Sequence, residues 1–218
     1  MKICAISDLH GRFIRNIEKS DVLVIAGDIN YTMGVEWFGR CFIPYLNGIK
    51  DRYGLCILVF GNHDDDIYYD NDKYKKYLPP WIKVLNNESI IYKGYKFYGS
   101  PHCRYIQGFR NTVTEQSLMH IFSLIPNDTD ILVTHSPPYG IGDISKDTLH
   151  PLDTLMHLGS VSLLEKVREV KPLIHIFGHI HTGNRYTREN GVDFYNVSIL
   201  DDYYDLAFKP TYIELPDR

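Results

Sequence analysis

The sequence of 218 residues predicts an α/β fold of two stacked mixed β-sheets flanked by helices. Three observations predict it. The first sixty residues alternate apolar strand-like runs with a helical segment, as parallel strands with crossovers do. The middle turns to short segments rich in β-branched and aromatic residues, parted by turns. The composition is 44% hydrophobic and 23% charged, which gives residues 1–218 enough core for a single domain.

Each element follows in order. Lys2–Ser7 is a short apolar strand, and Val22–Ala26 is the unbroken apolar run of a strand buried on both faces. Leu55–Phe60 is a third such run. Across Val35–Lys50, Trp37, Phe38, Phe42 and Tyr45 recur at roughly helical spacing, so a crossover helix is expected between two parallel strands. Lys83–Leu85, Ile90–Tyr92 and Lys96–Gly99 are short strands separated by Asn-Asn and Lys-Gly turns. A helix is expected over Thr114–Leu124, opened by Thr114 or Glu115 and stopped before Pro126. Ile131–His135 is a buried strand, Val161–Val170 an amphipathic helix ended by Pro172, and Leu173–Phe177 a strand. The tail (Asp193–Ser198, Tyr203–Phe208, Thr211–Leu215) is expected to finish the fold as an antiparallel meander.

Charge and apolar runs narrow the function classes. No segment approaches the roughly 18 apolar residues of a membrane helix. The opening MKICAISDLHGRF reaches Asp8 and His10 too soon for a signal-peptide core, so a cytoplasmic location is expected. A formal net charge of −4 disfavours a dedicated nucleic-acid binder. Cys4, Cys41, Cys56 and Cys103 have no CxxC spacing and no dense framework, and read as reduced thiols.

The polar residues that carry chemistry share one location, just past an apolar strand. Asp8 and His10 follow the first, Gly27-Asp28 the second, and Gly61-Asn62-His63-Asp64 the third. His135 closes Ile131–Thr134, and Gly178-His179-Ile180-His181 follows Leu173–Phe177. In open α/β sheets sites form beyond the carboxyl ends of strands, so these five ends are expected to converge. Residues two apart at a strand end point the same way, which suits Asp8-x-His10 and His179-x-His181 as paired ligands. The set is rich in oxygen and nitrogen and contains no cysteine, which favours two ions of the Mn²⁺, Fe or Zn²⁺ kind. Any one of these short motifs alone would be an ordinary strand-ending turn. The ordered set DLH, GD, GNHD, THSPP and GHIH is what carries the signal.

That ordered set resembles the calcineurin-like metallophosphoesterases, whose fingerprint runs D-x-H, GD, GNH[DE], a lone His and GHxH. The resemblance spans Asp8 to His181. It is closer still to the small metallophosphoesterase-domain proteins, the 239FB-like branch. GYKFYGSP at Gly94–Pro101, IPNDTDILVTHSPPYGIGD at Ile125–Asp143 and KPLIHIFGHIH at Lys171–His181 carry it, with GDINYTMG after Val22–Ala26. The resemblance implies a four-layer αββα sandwich and two divalent metal ions, Mn²⁺ foremost, with Fe or Zn²⁺ as alternatives. It assigns one ion to Asp8, His10, Asp28 and His181, and the other to Asp28, Asn62, His135 and His179. Asp28 bridges the two, and His63 sits over the substrate. Some members of the branch have Gly for the first His of GHxH; this chain keeps His179.

The implied activity is hydrolysis of a small phosphate ester, foremost a phosphodiester such as a cyclic nucleotide. A hydroxide shared by the two ions attacks phosphorus in line, with His63, Asn62 and Asp28 as the catalytic group. A phosphomonoesterase or nucleotide pyrophosphatase is the nearest alternative, a nuclease another, and a non-catalytic metal-binding scaffold the alternative of a different class. Protein phosphatases of the superfamily carry GDxVDRG and RGNHE where this chain has GDINYTMG and FGNHD, which argues against a phosphoprotein substrate. Arg12, Asn30, Arg104 and Tyr139 are candidate substrate contacts. His102, His120, His150, His157 and His175 lie off the pattern and need no function: His175 is expected to be a core histidine and His120 and His157 surface or core edge, while His102, after the strand ending at Gly99, is the one of them within reach of the site.

Overall fold

Strands that are apolar at every position go where both faces are covered, and Val22–Ala26 and Leu55–Val59 are buried throughout. A computed structural model of the protein describes all residues except 16, 71, 147–154 and 184. In chain order the first half holds β1 (Lys2–Ile6), β2 (Val22–Ala26), α1 (Gly34–Trp37), a π-turn (Phe38–Phe42), α2 (Ile43–Gly48), β3 (Leu55–Val59), α3 (Asp65–Tyr68), β4 (Ile82–Val84), β5 (Glu88–Tyr92), β6 (Tyr95–Ser100), β7 (Cys103–Arg104) and β8 (Thr112–Val113). The second half holds α4 (Glu115–Ser123), β9 (Ile131–Thr134), β10 (Ile144–Lys146), β11 (Leu155–His157), α5 (Val161–Val170), β12 (Ile174–Phe177), β13 (Tyr186–Glu189), β14 (Val192–Asn196) and β15 (Thr211–Glu214).

Two mixed sheets result. One has the order β15-β1-β2-β3-β4 and the other β13-β14-β12-β9-β6-β5. Three apolar layers hold the stack together. The central one joins the sheets: Ile3, Ala5, Val24 and Ile57 of the first meet Phe97, Val133 and Ile176 of the second. The outer face of the first sheet packs on Phe38, Phe42 and Leu46 of the α1–α2 segment. The outer face of the second packs on Leu118, Phe122, Leu163 and Val167 of α4 and α5. Helix, sheet, sheet, helix is the four-layer order expected.

The predicted crossover helix forms, broken by the π-turn ahead of Pro44, whose missing N–H interrupts the α-helical ladder. The tail departs from a meander. β14 pairs parallel with β12 and antiparallel with β13, and β15 crosses to pair antiparallel with β1. Tyr203–Phe208 is no strand, because the Asp201 carboxylate accepts from the backbone N–H of Tyr203 at 2.9 Å and of Asp205 at 3.0 Å and winds it into a turn. Among the described residues no helix is long and apolar enough to cross a membrane.

The parallel strands β1, β2 and β3 of one sheet and β6, β9, β12 and β14 of the other end at a common edge. Backbone hydrogen bonds knit that edge: Ser7 N–H to Val197 O, Asp8 N–H to Gly27 O, and Gly178 N–H to His135 O, each 2.9 Å.

Candidate metal centre

The five strand ends that carry Asp, His and Asn meet at this edge. Asp8, His10 and His181 offer ligand atoms within 4.8 Å of one another, as do Asp8, Asp28 and His135, and as do His10, Asp28 and His63. Nε2 of His10 and Nε2 of His181 are 3.3 Å apart, and His181 Nε2 lies 3.7 Å from Asp8 Oδ1. His135 Nε2 lies 3.2 Å from Asp28 Oδ2 and 3.1 Å from Asn62 Oδ1. The rings of His135 and His179 sit 5.1 Å apart. All seven side chains expected as ligands are thus brought together, with His63 beside them.

Local backbone makes this density possible. Asp8, His10, Asp28 and His179 all have left-handed φ, between 43° and 70°. The glycines before the motif residues are required by close approach. A Cβ at Gly178 would collide with Ser7 and Asp8, and one at Gly27 with the imidazole of His135. Hydrogen bonds on the far side of two rings fix their tautomers. His135 Nδ1–H donates to Ala26 O at 2.8 Å and His181 Nδ1–H to Asp201 O at 2.9 Å, which turns each Nε2 toward the carboxylates.

The electrostatics are those of a buried, mutually compensating cluster. Burial opposes ionisation of Asp8 and Asp28, but the histidines outweigh it: His181 and His135 hold Asp8 below the usual carboxylate range, and His135, His63 and His10 hold Asp28 well below it. Burial likewise works against charge on His135, yet Asp28 and Asp8 raise it to about 9. His10 is pushed down to about 4 by burial, and His179 to about 4 by burial and by His135. Buried Asp64 is pushed well up by burial and by Asp28, and accepts backbone N–H groups of Gly61 at 2.8 Å and Asn30 at 3.0 Å. Two ionised carboxylates facing imidazole nitrogens is a donor set suited to divalent cations, which displace the imidazole protons on binding.

A cavity of about 870 Å³ opens over this cluster, lined by His10, Asp28, Asn62, His63, His179 and His181 on its floor. Tyr105, Phe109, Tyr203 and Tyr204 line its walls. His63 lies between Tyr31, stacked at 5.4 Å and 15°, and Phe109, edge-on at 4.8 Å. Two other hollows, about 580 and 380 Å³, lie away from these residues.

The four candidate substrate contacts sit elsewhere, outside the cavity lining. Arg12 bonds the backbone carbonyl of Tyr204 and lies 3.9 Å from Asp205, so it braces one wall. Asn30 is buried and spent on Asp66 at 2.6 Å and Met33 N–H at 2.8 Å. Arg104 reaches the carbonyl of His157 at 3.3 Å, and Tyr139 packs its ring on His157 at 4.9 Å. His102 pairs with Asn87 at 3.1 Å and is in none of these ligand groups. His120 is exposed on α4, His157 bonds Asp143 at 2.9 Å, and His175 is buried; His150 lies outside the described residues. What sequence reasoning misses is the neighbour of His102. Cys103 Sγ and the ligand nitrogens of His135 and His179 lie within 4.8 Å of one another. Its signal is position: like the others, it follows a strand end. The aromatic walls escape the same reasoning because Tyr203 and Tyr204 fall in a segment with the composition of a strand.

The family model described as Calcineurin-like phosphoesterase matches residues 1–183. Metallophosphoesterase domain-containing protein 1 of Homo sapiens is 29% identical over 241 residues, covering 99% of this chain and 71% of its own. A UPF0046 protein of Caenorhabditis elegans is 32% identical over 235 residues, covering 99% of this chain and 81% of its own. Among solved structures, TT1561 of Thermus thermophilus is similar in fold, with a TM-score of 0.61 at 12% identity over 89% of this chain and 88% of that one.

Proposed function

The chain belongs to the calcineurin-like phosphoesterases, in their small metallophosphoesterase-domain branch of metal-dependent hydrolases, and from that premise we propose that it hydrolyses a small phosphodiester of the cyclic-nucleotide kind. The observation that carries the diester reading is the cavity lining. Among its described residues there is no lysine or arginine, while Tyr105, Phe109, Tyr203 and Tyr204 form its walls. A monoester dianion carries a second charge that such walls leave uncompensated. A diester carries one charge and two organic arms, and aromatic faces favour a flat one by about 1–3 kcal/mol per stacked base.

The reading takes two divalent cations as cofactors, Mn²⁺ foremost. One is assigned to Asp8, His10, Asp28 and His181, and the other to Asp28, Asn62, His135 and His179, with Asp28 shared. The interlocking of these side chains supports the assignment. Two divalent cations held by these residues would supply Lewis-acid charge and activate water near neutral pH. The protein's own part is orientation and proton delivery. Hydrogen bonds to Ala26 and Asp201 fix the rings of His135 and His181. The His63 backbone N–H donates to Asp28 Oδ1 at 2.8 Å, tying the loop that carries His63 to the shared carboxylate. The His63 ring, held by Tyr31 and Phe109, faces the cavity, where a ring N–H can donate to the ester and then to the departing oxygen.

The test is an assay of Mn²⁺-reconstituted protein on p-nitrophenyl phosphate, its bis ester and cyclic nucleotides. The diesters are expected to turn over faster, and His63→Ala to lower turnover about 100-fold with its metal content unchanged. Preference for the monoester would move the assignment to a phosphomonoesterase. Metal binding without turnover of any ester would favour the scaffold. Full activity in His63→Ala would remove that residue's role.

A further inference from the structure

A thiol stands beside the centre that the sequence pattern describes without sulfur. β6 ends at Ser100, and after Pro101 and His102 the residue Cys103 opens β7. The side chain is fully buried. Its Sγ shares a 4.8 Å neighbourhood with ligand nitrogens of both His135 and His179. The thiol's hydrogen bond is a long donation to Pro101 O at 3.6 Å. The other cysteines are placed differently: Cys4 and Cys56 pack in the apolar layer under α1 and α2, and Cys41 is exposed.

The histidines of this trio already point to a ligand. His135 spends Nδ1–H on Ala26 O, which leaves Nε2 as the nitrogen that a cation would take in place of a proton. The His179 ring lies 5.1 Å from that of His135 and lines the cavity. A buried Cys beside one buried and one half-buried imidazole is a ligand group for a thiophilic cation, since thiolate and imidazole together select Zn²⁺ and its heavier congener over Mn²⁺.

We propose that Cys103 is a metal ligand, joining His135 and His179 in a sulfur-containing site for Zn²⁺ or Cd²⁺ at one of the two cation positions. The inference rests on the dinuclear reading above and makes its two positions chemically unlike. The position at Asp8, His10 and His181 offers oxygen and nitrogen alone, and the position at His135 and His179 gains sulfur. On binding, the Sγ–H bond breaks, the Sγ–metal bond forms and the proton leaves to solvent, with no change of oxidation state.

The experiment is a Co²⁺ titration of metal-free Cys41→Ser protein, which lacks the exposed thiol, followed by absorption spectroscopy. The expected spectrum has visible d–d bands and a near-ultraviolet thiolate-to-Co²⁺ charge-transfer band, saturating together. Adding Cys103→Ser removes the charge-transfer band and keeps the d–d bands. It also lowers Cd²⁺ affinity by about 10- to 100-fold, the scale on which partners of a metal site act, and leaves Mn²⁺ affinity unchanged. Cys103→Ala gives the same loss and serves where the serine variant fails to fold. Saturable d–d bands without charge transfer, or a band that survives Cys103→Ser, overturn the role of Cys103 and leave the dinuclear reading standing. Absence of stoichiometric Co²⁺ overturns that reading and this inference with it.

Discussion

At the scale of single residues, the molecule keeps its polar atoms in conformations a free chain avoids. Left-handed φ at Asp8, His10, Asp28 and His179 costs on the order of 1–3 kcal/mol each, and the surrounding edge must hold it. Asp28 has the most to lose, because it faces His10, His63 and His135 at once. Asp28→Asn is therefore expected to lower the bound metal-to-protein ratio measured by elemental analysis, and an unchanged ratio would sink its bridging role. His175 makes a different prediction. Its Nε2–H donates to Thr134 Oγ1 at 2.9 Å, its Nδ1 has no partner, and burial pushes its pKa down to about 3. The unfolded chain, with an ordinary histidine pKa of about 6.5, takes up a proton there that the folded chain refuses. Stability due to His175 is present above about pH 6.5 and falls as the pH drops toward 3. Between about pH 7 and pH 5 the wild type should lose about 2 kcal/mol more than His175→Gln in urea unfolding, and equal losses would contradict this. Much of this scale is legible in the sequence. Motif order alone names the eight residues from Asp8 to His181, because each sits where a strand must stop. It does not name Cys103, because a lone Cys carries no spacing to read.

At the scale of elements, local chemistry and long-range pairing divide the outcome. Val22–Ala26 and Val161–Val170 fall where the apolar runs place them, and Thr114 caps α4 by accepting from Ser117 N–H. Ser160 caps α5 and does more. Its Oγ accepts from Leu163 N–H at 3.1 Å and donates to Glu115 Oε1 at 2.7 Å, tying α5 to α4. Ser160→Ala is expected to cost about 1–2 kcal/mol, seen as a lower urea midpoint at unchanged m-value. A shift within error would mean the cap is replaced by solvent. Partner choice is what a local pattern cannot encode. Tyr186–Glu189 is half exposed and polar, so it has no apolar signature, yet it finds β14. Thr211–Glu214 has the pattern of a strand, but a meander would set it beside the wrong neighbour. It covers the otherwise open edge of β1, a choice made by the distant end of the chain.

At the scale of the whole molecule, one apolar layer between two sheets is what lets distant motifs share a site. Ile3 and Val24 near the start of the chain pack with Val133 and Ile176 far along it, and the loops that follow those strands inherit the alignment. We read residues 1–218 as one cooperative domain on that basis. Thermal unfolding followed by Trp37 and Trp81 fluorescence and by far-ultraviolet circular dichroism should then give coincident transitions, and two separated ones would contradict a single domain. If the strand ends form a two-cation centre around Asp28, anomalous X-ray scattering from crystals grown with Mn²⁺ should give two peaks flanking the Asp28 carboxylate, one among Asp8, His10 and His181 and one among Asn62, His135 and His179. A single peak, or none at that edge under saturating Mn²⁺, would contradict it.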